Sequence, residues 1–560
     1  MTNQTEATSI VDYQAIAALE LDSISVEVIS NSLTSIVDEM GRMIVRASYS
    51  QNIKERQDCS AVIFDIKGRT IAQAEHIPLH LGSLLGISDY VLKSYDLSKV
   101  RPGDVFVGND AYTGGGTHLN DIVFLEPVFL DKQLVAWAAN VAHHSDFVDR
   151  GHAHIFQEGL RIPPVRLYRE GLIEDDILQL ILLNCQVPRE RINDFRAQMG
   201  ANRLGIQRMQ ALCKKYGTHM VLRGAELAMD YSERKTRAGI KEIPDGVYEF
   251  SQSFDSDLVP DDLLLRVKIE VKNDEIFFDF ANNPPWVRAG INSVYTALFA
   301  TVLFAVKALV DPNIPANQGF YRPIHVDAPL GSILNAAAPA AVYWRTDVLQ
   351  RVVDMIFAAL APAIPTRVIA ASTGPAVFTV FGTHPRTGKY YVYNESVAGS
   401  LGGRYDRDGM DGVQVHTTNT ANLPVEALEI EHPLMVEAYE LVQDSGGVGA
   451  HRGGMTIRRR IRALDHVASV SLGGTCSRVP AWGLFGGEPG SLCRVERGEG
   501  VEPLRSRQGQ LQPGQSIAIV TAAAGGYGNP AERDVALIER DILEERVSER
   551  AARAAYKQFR

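Results

Sequence analysis

The chain has 560 residues, 45% of them apolar and 22% charged, and a net charge of −11. That length supports a large core and more than one domain. The acidic balance argues against a nucleic-acid binder, which needs a basic face. The five cysteines (Cys59, Cys185, Cys213, Cys476, Cys493) are odd in number and scattered, with no Cys-x-x-Cys pair, which points to a reduced, cytoplasmic protein.

Residues 1–20 are expected as a flexible leader, with no apolar signal core. Leu21 to Ser48 carries Val26, Ile29, Leu33, Ile36, Val37, Met40 and Ile44 at helical spacing. Ala61–Asp65 and Thr70–Ala74, joined by a turn at Lys67-Gly68, read as a hairpin. His76–Gly82 reads as a loop and Leu84–Tyr95 as a helix. After the strand Val105–Val107 come three glycines in Gly-Gly-Gly-Thr-His-Leu-Asn-Asp, residues 114–121. Two apolar runs follow, Ile122–Leu130 and Leu134–Ala142, around Asp131-Lys132-Gln133. This is a second hairpin. A turn centred near Lys132 places Asp121 opposite His143, with His118 close by.

Further on, Asp175–Cys185 and Pro188–Lys235 read as helices, and Gly246–Phe280 as antiparallel strands with Leu265, Val267, Ile269 and Val271 alternating. Val294–Val310 is the most apolar stretch. It is short for a membrane span and contains Lys307, so a buried helix fits better. A further helix is expected over about 346–361. From Val368 short apolar runs alternate with glycine-rich turns, and 531–558 closes as a charged helix. The fold class is α+β, a mixed multi-domain architecture with an N-terminal metal-site half and a C-terminal β-rich half. The divisions are 1–20, a metal-binding catalytic region 21–240, a central α+β region 241–365, a β-rich module 366–530 and a terminal helix 531–560.

The P-loop pattern Gly-x-x-x-x-Gly-Lys-Ser/Thr and the nucleophile elbow Gly-x-Ser-x-Gly are both absent, so the glycine clusters read as turns. Half of the 14 histidines fall between positions 76 and 154: His76, His80, His118, His143, His144, His152 and His154. Such clustering favours a metal or acid–base site. From spacing alone, His118, Asp121 and His143 are either a metal-binding face or solvated loop residues. Asp58 is either an active-site carboxylate or, as spacing favours, a surface residue. His152 and His154 read as loop histidines with no shared role.

Several ordered motifs resemble the hydantoinase B/oxoprolinase family. They are Asn109-Asp-Ala-Tyr-Thr-Gly-Gly-Gly-Thr-His-Leu-Asn-Asp121, Lys54-Glu-Arg-Gln-Asp58, Ala74-Glu-His-Ile-Pro-Leu-His-Leu-Gly-Ser83 and Phe156-Gln-Glu-Gly-Leu-Arg-Ile-Pro-Pro164, and later Asp311-Pro-Asn-Ile-Pro315, Thr418-Asn-Thr420, Ser445–Gly454 and Trp482–Gly487. The resemblance runs from about Asp22 to the last helix. One departure is Ala111 where the family commonly has proline. The resemblance implies the metal-bearing subunit of a two-component, ATP-dependent enzyme. A hydantoinase A-type partner would bind ATP and phosphorylate the carbonyl oxygen of the substrate, in a hetero-oligomer such as α2β2. It implies a divalent metal (zinc, manganese or iron) on His118, Asp121 and His143, the three residues the hairpin brings together. His144, Asp146 or Asp58 would be general base or orienting group. The expected reaction is hydrolysis of a cyclic amide, with a ketone carboxylase of the acetone or acetophenone type as the alternative.

Overall fold

The computed structural model describes residues 8–559 apart from 75, 145–151, 499 and 503–507. The fold is α+β, and its N-terminal part is built on one eight-stranded sheet. Its strands run in the order Thr70–Gln73, Cys59–Asp65, Gln133–His143, Asp121–Leu130, Val105–Gly108, Val165–Arg169 and Leu172–Ile173, with Ser9–Ile10 added in parallel to the start of Gln133–His143. The central hairpin pairs Asp121 with His143 and Leu130 with Gln133. Its two-residue turn holds Asp131 and Lys132 at φ 46° and 67°, the left-handed conformation that matches strand twist.

Both faces of this sheet are covered, which explains why the two hairpin runs are continuously apolar and not alternating. On one face Val62, Phe64, Val123, Leu125, Ala139 and Val141 pack with Leu84, Ile87 and Val91 of the helix His80–Ser94. On the other, Ala61, Ile63, Ala138 and Ala142 pack with Ile29, Leu33, Val37 and Met40 of the helix Ser23–Ala47. The helix His80–Ser94 begins four residues earlier than the apolar pattern indicates, inside the expected loop. That shift puts His80 on the helix's first turn. The helix expected over 188–235 is two, Pro188–Tyr216 and Thr218–Ile240, broken at Gly217 with φ 90°. The terminal helix is likewise two short ones, Val535–Leu543 and Glu549–Ala555.

A four-stranded sheet, Gly246–Phe254 to Ile324–Asp327, follows with the expected alternation: Leu265, Val267, Ile269 and Val271 are buried and their neighbours exposed. It shares a core with Tyr295–Val310, a buried helix, and with Thr346–Leu360. Beyond residue 370 two sheets of four and five strands enclose one core. All five cysteines are free. Among the described residues no helix is long and apolar enough to cross a membrane.

Candidate metal centre

Strand alternation decides which side chains meet. Residues of one parity in the hairpin face the helix His80–Ser94, and those of the other face the helix Pro188–Tyr216. Asp121 and His143 share the first parity with Val123 and Val141, and Asp58 and Ser60 share it with Val62 on the neighbouring strand. His144 has the opposite parity.

His118 arrives from the loop before the hairpin. That loop is folded tightly against Asn109, whose Nδ2 donates to Leu119 O (2.8 Å) and Leu160 O (3.0 Å) and whose Oδ1 accepts from Ile162 N (2.7 Å). Gly114 and Gly115 have φ of 89° and 136°. A Cβ on Gly116 would stand 2.1 Å from Asn109 O, so glycine is required there by lack of space.

The three heteroatoms converge. His118 Nε2 lies 2.9 Å from Asp121 Oδ1, His143 Nδ1 lies 3.4 Å from the same oxygen, and the two nitrogens are 3.2 Å apart. Ligands about 2.0–2.2 Å from a shared ion stand about 3 Å from one another. The proton inventory also calls for a cation. His118 Nδ1 is 3.2 Å from Tyr343 O, a contact that assigns Nδ1 the proton and leaves Nε2 a lone pair. Burial, then the Arg345 charge, pushes the His118 pKa down to about 4, so the ring is neutral at pH 7. Burial works against the Asp121 charge, but the neighbouring His118 ring and the Arg345 guanidinium hold its carboxyl well below the usual range. An imidazole lone pair and a carboxylate oxygen thus face each other, buried and with no proton between them. The donor set fits a divalent ion.

The surrounding groups orient the set. Arg345 donates from Nη2 to Asp121 Oδ2 (2.7 Å) and from Nε to Thr117 Oγ1 (2.6 Å), which leaves Oδ1 to the imidazoles. Glu158 accepts from Val342 N and Tyr343 N at 2.7 and 2.8 Å, fixing the carbonyl that fixes His118. Outer partners of this kind set ligand direction and basicity.

Asp58 is not a surface residue. It is 8% exposed and lines the same cleft as the three candidate ligands. Its Oδ1 is 3.3 Å from His80 Nε2, and His80 Nδ1 is 3.0 Å from Ser60 Oγ. Burial opposes its charge, yet His143 and His80 hold its carboxyl below the ordinary value. His144, expected as a candidate base, turns away: its Nε2 is 2.9 Å from Gln198 Oε1 and its ring packs on Phe195. It is the opposite strand parity that sends it there. Asp146 lies outside the described residues. Sequence reasoning did not assign His80, Arg345, Tyr343 or Glu158. His80 stood within the histidine cluster and within a family motif, whereas Arg345 carried no local signal.

Arg56, Asp58, His80 and Arg345 line one cleft with the three candidate ligands. In this α+β chain a two-histidine, one-aspartate cluster with a donor set suited to a divalent ion lines that cleft. The hydantoinase B/oxoprolinase family profile matches residues 22–530, and the chain belongs to that family. It is 31% identical over 572 residues to a putative D-/L-hydantoinase subunit of Pseudomonas sp., covering 96% of this chain and 95% of that one. The crystal structure of the ATP-dependent caprolactamase from Pseudomonas jessenii matches with a TM-score of 0.88 at 28% identity, over 96% of both chains. A nucleotide-free acetone carboxylase structure matches with a TM-score of 0.88 over 96% of this chain and 79% of that one; at 16% identity it shares the fold alone.

Proposed function

We propose that this chain is the hydantoinase B-like subunit of an ATP-dependent hydrolase of a cyclic amide (a lactam, a hydantoin or 5-oxoproline) and that it acts on substrate phosphorylated by a hydantoinase A-type partner. The observation that carries this is the convergence of His118 Nε2, Asp121 Oδ1 and His143 Nδ1 within 3.4 Å of one another in one cleft. It is supported by kinship with proteins named as a hydantoinase subunit and an ATP-dependent caprolactamase.

An amide resists water because resonance weakens the carbonyl carbon as electrophile and makes nitrogen a poor leaving group. Phosphorylation of the oxygen leaves an imidate-like carbon. His118, Asp121 and His143 would hold a divalent ion, which would supply Lewis acidity and make water a better nucleophile near neutral pH. Arg345 and Tyr343 O hold Asp121 and His118 in ligating orientation. Asp58, ionised and on the same wall, takes the proton of the attacking water, and His80 steadies its carboxylate. The adduct collapses by cleavage of the ring carbon–nitrogen bond, the nitrogen taking a proton back from Asp58, which gives an aminoacyl phosphate; a second water cleaves that to the ring-opened amino acid and inorganic phosphate. Kinship with proteins named as subunits supports reading the complex as a hetero-oligomer, such as a cytoplasmic α2β2.

The reading is tested by supplying the full chain, its hydantoinase A-type partner and ATP with hydantoin, 5-oxoproline and caprolactam in turn. Ring-opened amino acid formed together with ADP supports it. ATP use that requires a ketone and bicarbonate, with no lactam opened, replaces it with the carboxylase alternative.

A further inference from the structure

On the wall of the same cleft stand three hydrogen-bond donors that the metal cluster does not use. Arg56 is 3% exposed. Its Nη1 donates to Asn52 Oδ1 (2.9 Å) and Asn394 O (2.8 Å), but its Nε is buried with no partner among the described residues. Thr417 Oγ1 and Thr420 Oγ1 are also buried and unpartnered, and all three residues line the cleft. Each buried donor left unpaired costs about 1–3 kcal/mol, more for a charged group. One such atom is ordinary; three on one wall point to a ligand that accepts hydrogen bonds.

The loop that carries the threonines is fixed by the protein. Ala421 N donates to Arg56 O (3.0 Å) and Leu79 N to Thr417 O (3.3 Å), tying the loop to the two segments that carry Asp58 and His80. Gln350 bonds both Val415 O (3.0 Å) and Thr417 N (3.3 Å). His416 has φ 53°, a costly conformation held by Asp354 Oδ1 at 2.8 Å from its Nε2. Such strain persists where the surroundings impose it, often next to a functional site.

We propose that Arg56, Thr417 and Thr420 form an anion subsite that receives the phosphoryl group of the activated substrate. This rests on the hydrolase reading, in which a phosphorylated substrate occupies this cleft. A guanidinium and two hydroxyls are donors only towards phosphoryl oxygens, and the charged bonds are the strong ones. With the phosphoryl group held there, the carbon that bears it is placed between the subsite and the metal cluster. After the ring nitrogen has left, a second water adds to the acyl phosphate and its carbon–oxygen bond breaks, so the phosphate leaves with the bonding electrons onto groups already in place.

The test is calorimetric titration of the full chain with inorganic phosphate, with acetate as the carboxylate probe. Saturable phosphate binding is expected, weakened about tenfold or more in Arg56→Gln, as the loss of a charged hydrogen bond implies, and weakened less in Thr417→Val and Thr420→Val. Binding is expected to persist in His118→Ala, which separates the subsite from the metal. Absent binding, equal binding across all variants, loss in His118→Ala, or acetate binding in place of phosphate would each overturn the proposal. Thr420→Val, at a half-buried position, decides the matter if Arg56→Gln fails to fold. Phosphate binding that depends on Arg56 in a protein that opens no lactam would leave the subsite standing and remove the hydrolase reading.

Discussion

Arg345 Nη2 lies 2.7 Å from Asp121 Oδ2, the carboxylate oxygen that faces neither histidine. One carboxylate is thereby divided between two tasks, with Oδ2 neutralised by a buried guanidinium and Oδ1 presented to His118 and His143. Arg345→Lys keeps the charge but loses the fork that also grips Thr117. Competition with a chromogenic chelator should show metal affinity down by roughly 10–100-fold. Unchanged affinity would mean that Asp121 needs no orientation.

Glu158 gives a pH prediction. Burial raises its pKa from 4.5 to about 8, against the lowering pull of two backbone N–H groups. Between those values the folded chain keeps a proton that the unfolded chain has released. Stability from this group is therefore present below the lower value and is lost as pH rises through the higher one. Glu158→Gln can still accept both backbone bonds and does not titrate. Chemical denaturation between roughly pH 5 and 8 should show the parent losing more stability than the variant; parallel curves would contradict this.

His144 is expected to be structural. His144→Ala removes the partner of Gln198 Oε1 inside the core, a loss of about 1–3 kcal/mol from the unsatisfied group. Denaturant unfolding should record that loss while metal content stays at the parental level. A variant that folds normally but fails to take up metal would restore His144 to the site.

The glycine loop is expected to act by fit. Gly116→Ala brings a methyl group against Asn109 O, so loop or anchor must move, at about 1–3 kcal/mol. Melting temperature and metal content should fall together, because the displaced loop carries His118.

The sequence made the hairpin legible: two apolar runs about a turn centred near Lys132 place Asp121 opposite His143, and the structure reaches that pairing through a two-residue turn plus a register shift between Val128 and Phe129 that no sequence pattern marks. Glycines followed by His118 and Asp121 completed the trio. What it concealed has physical causes. Asp58 and His144 each lie in a polar stretch at the end of an apolar run, and only strand parity relative to the two helix layers tells which one faces the cleft. His80 sits where Pro78 suggests a loop, although the chain turns helical two residues later. Arg345 meets Asp121 across 224 residues, a contact that no local pattern announces. The threonines at 417 and 420 became meaningful only with Arg56 beside them.

The most direct test is elemental analysis of the purified full chain and of His118→Ala, read beside ATP-dependent lactam hydrolysis with the partner subunit. The expected result is one divalent ion per chain in the parent, lost together with hydrolysis in His118→Ala. A metal-free parent chain that opens the lactam at full rate would contradict the central claim.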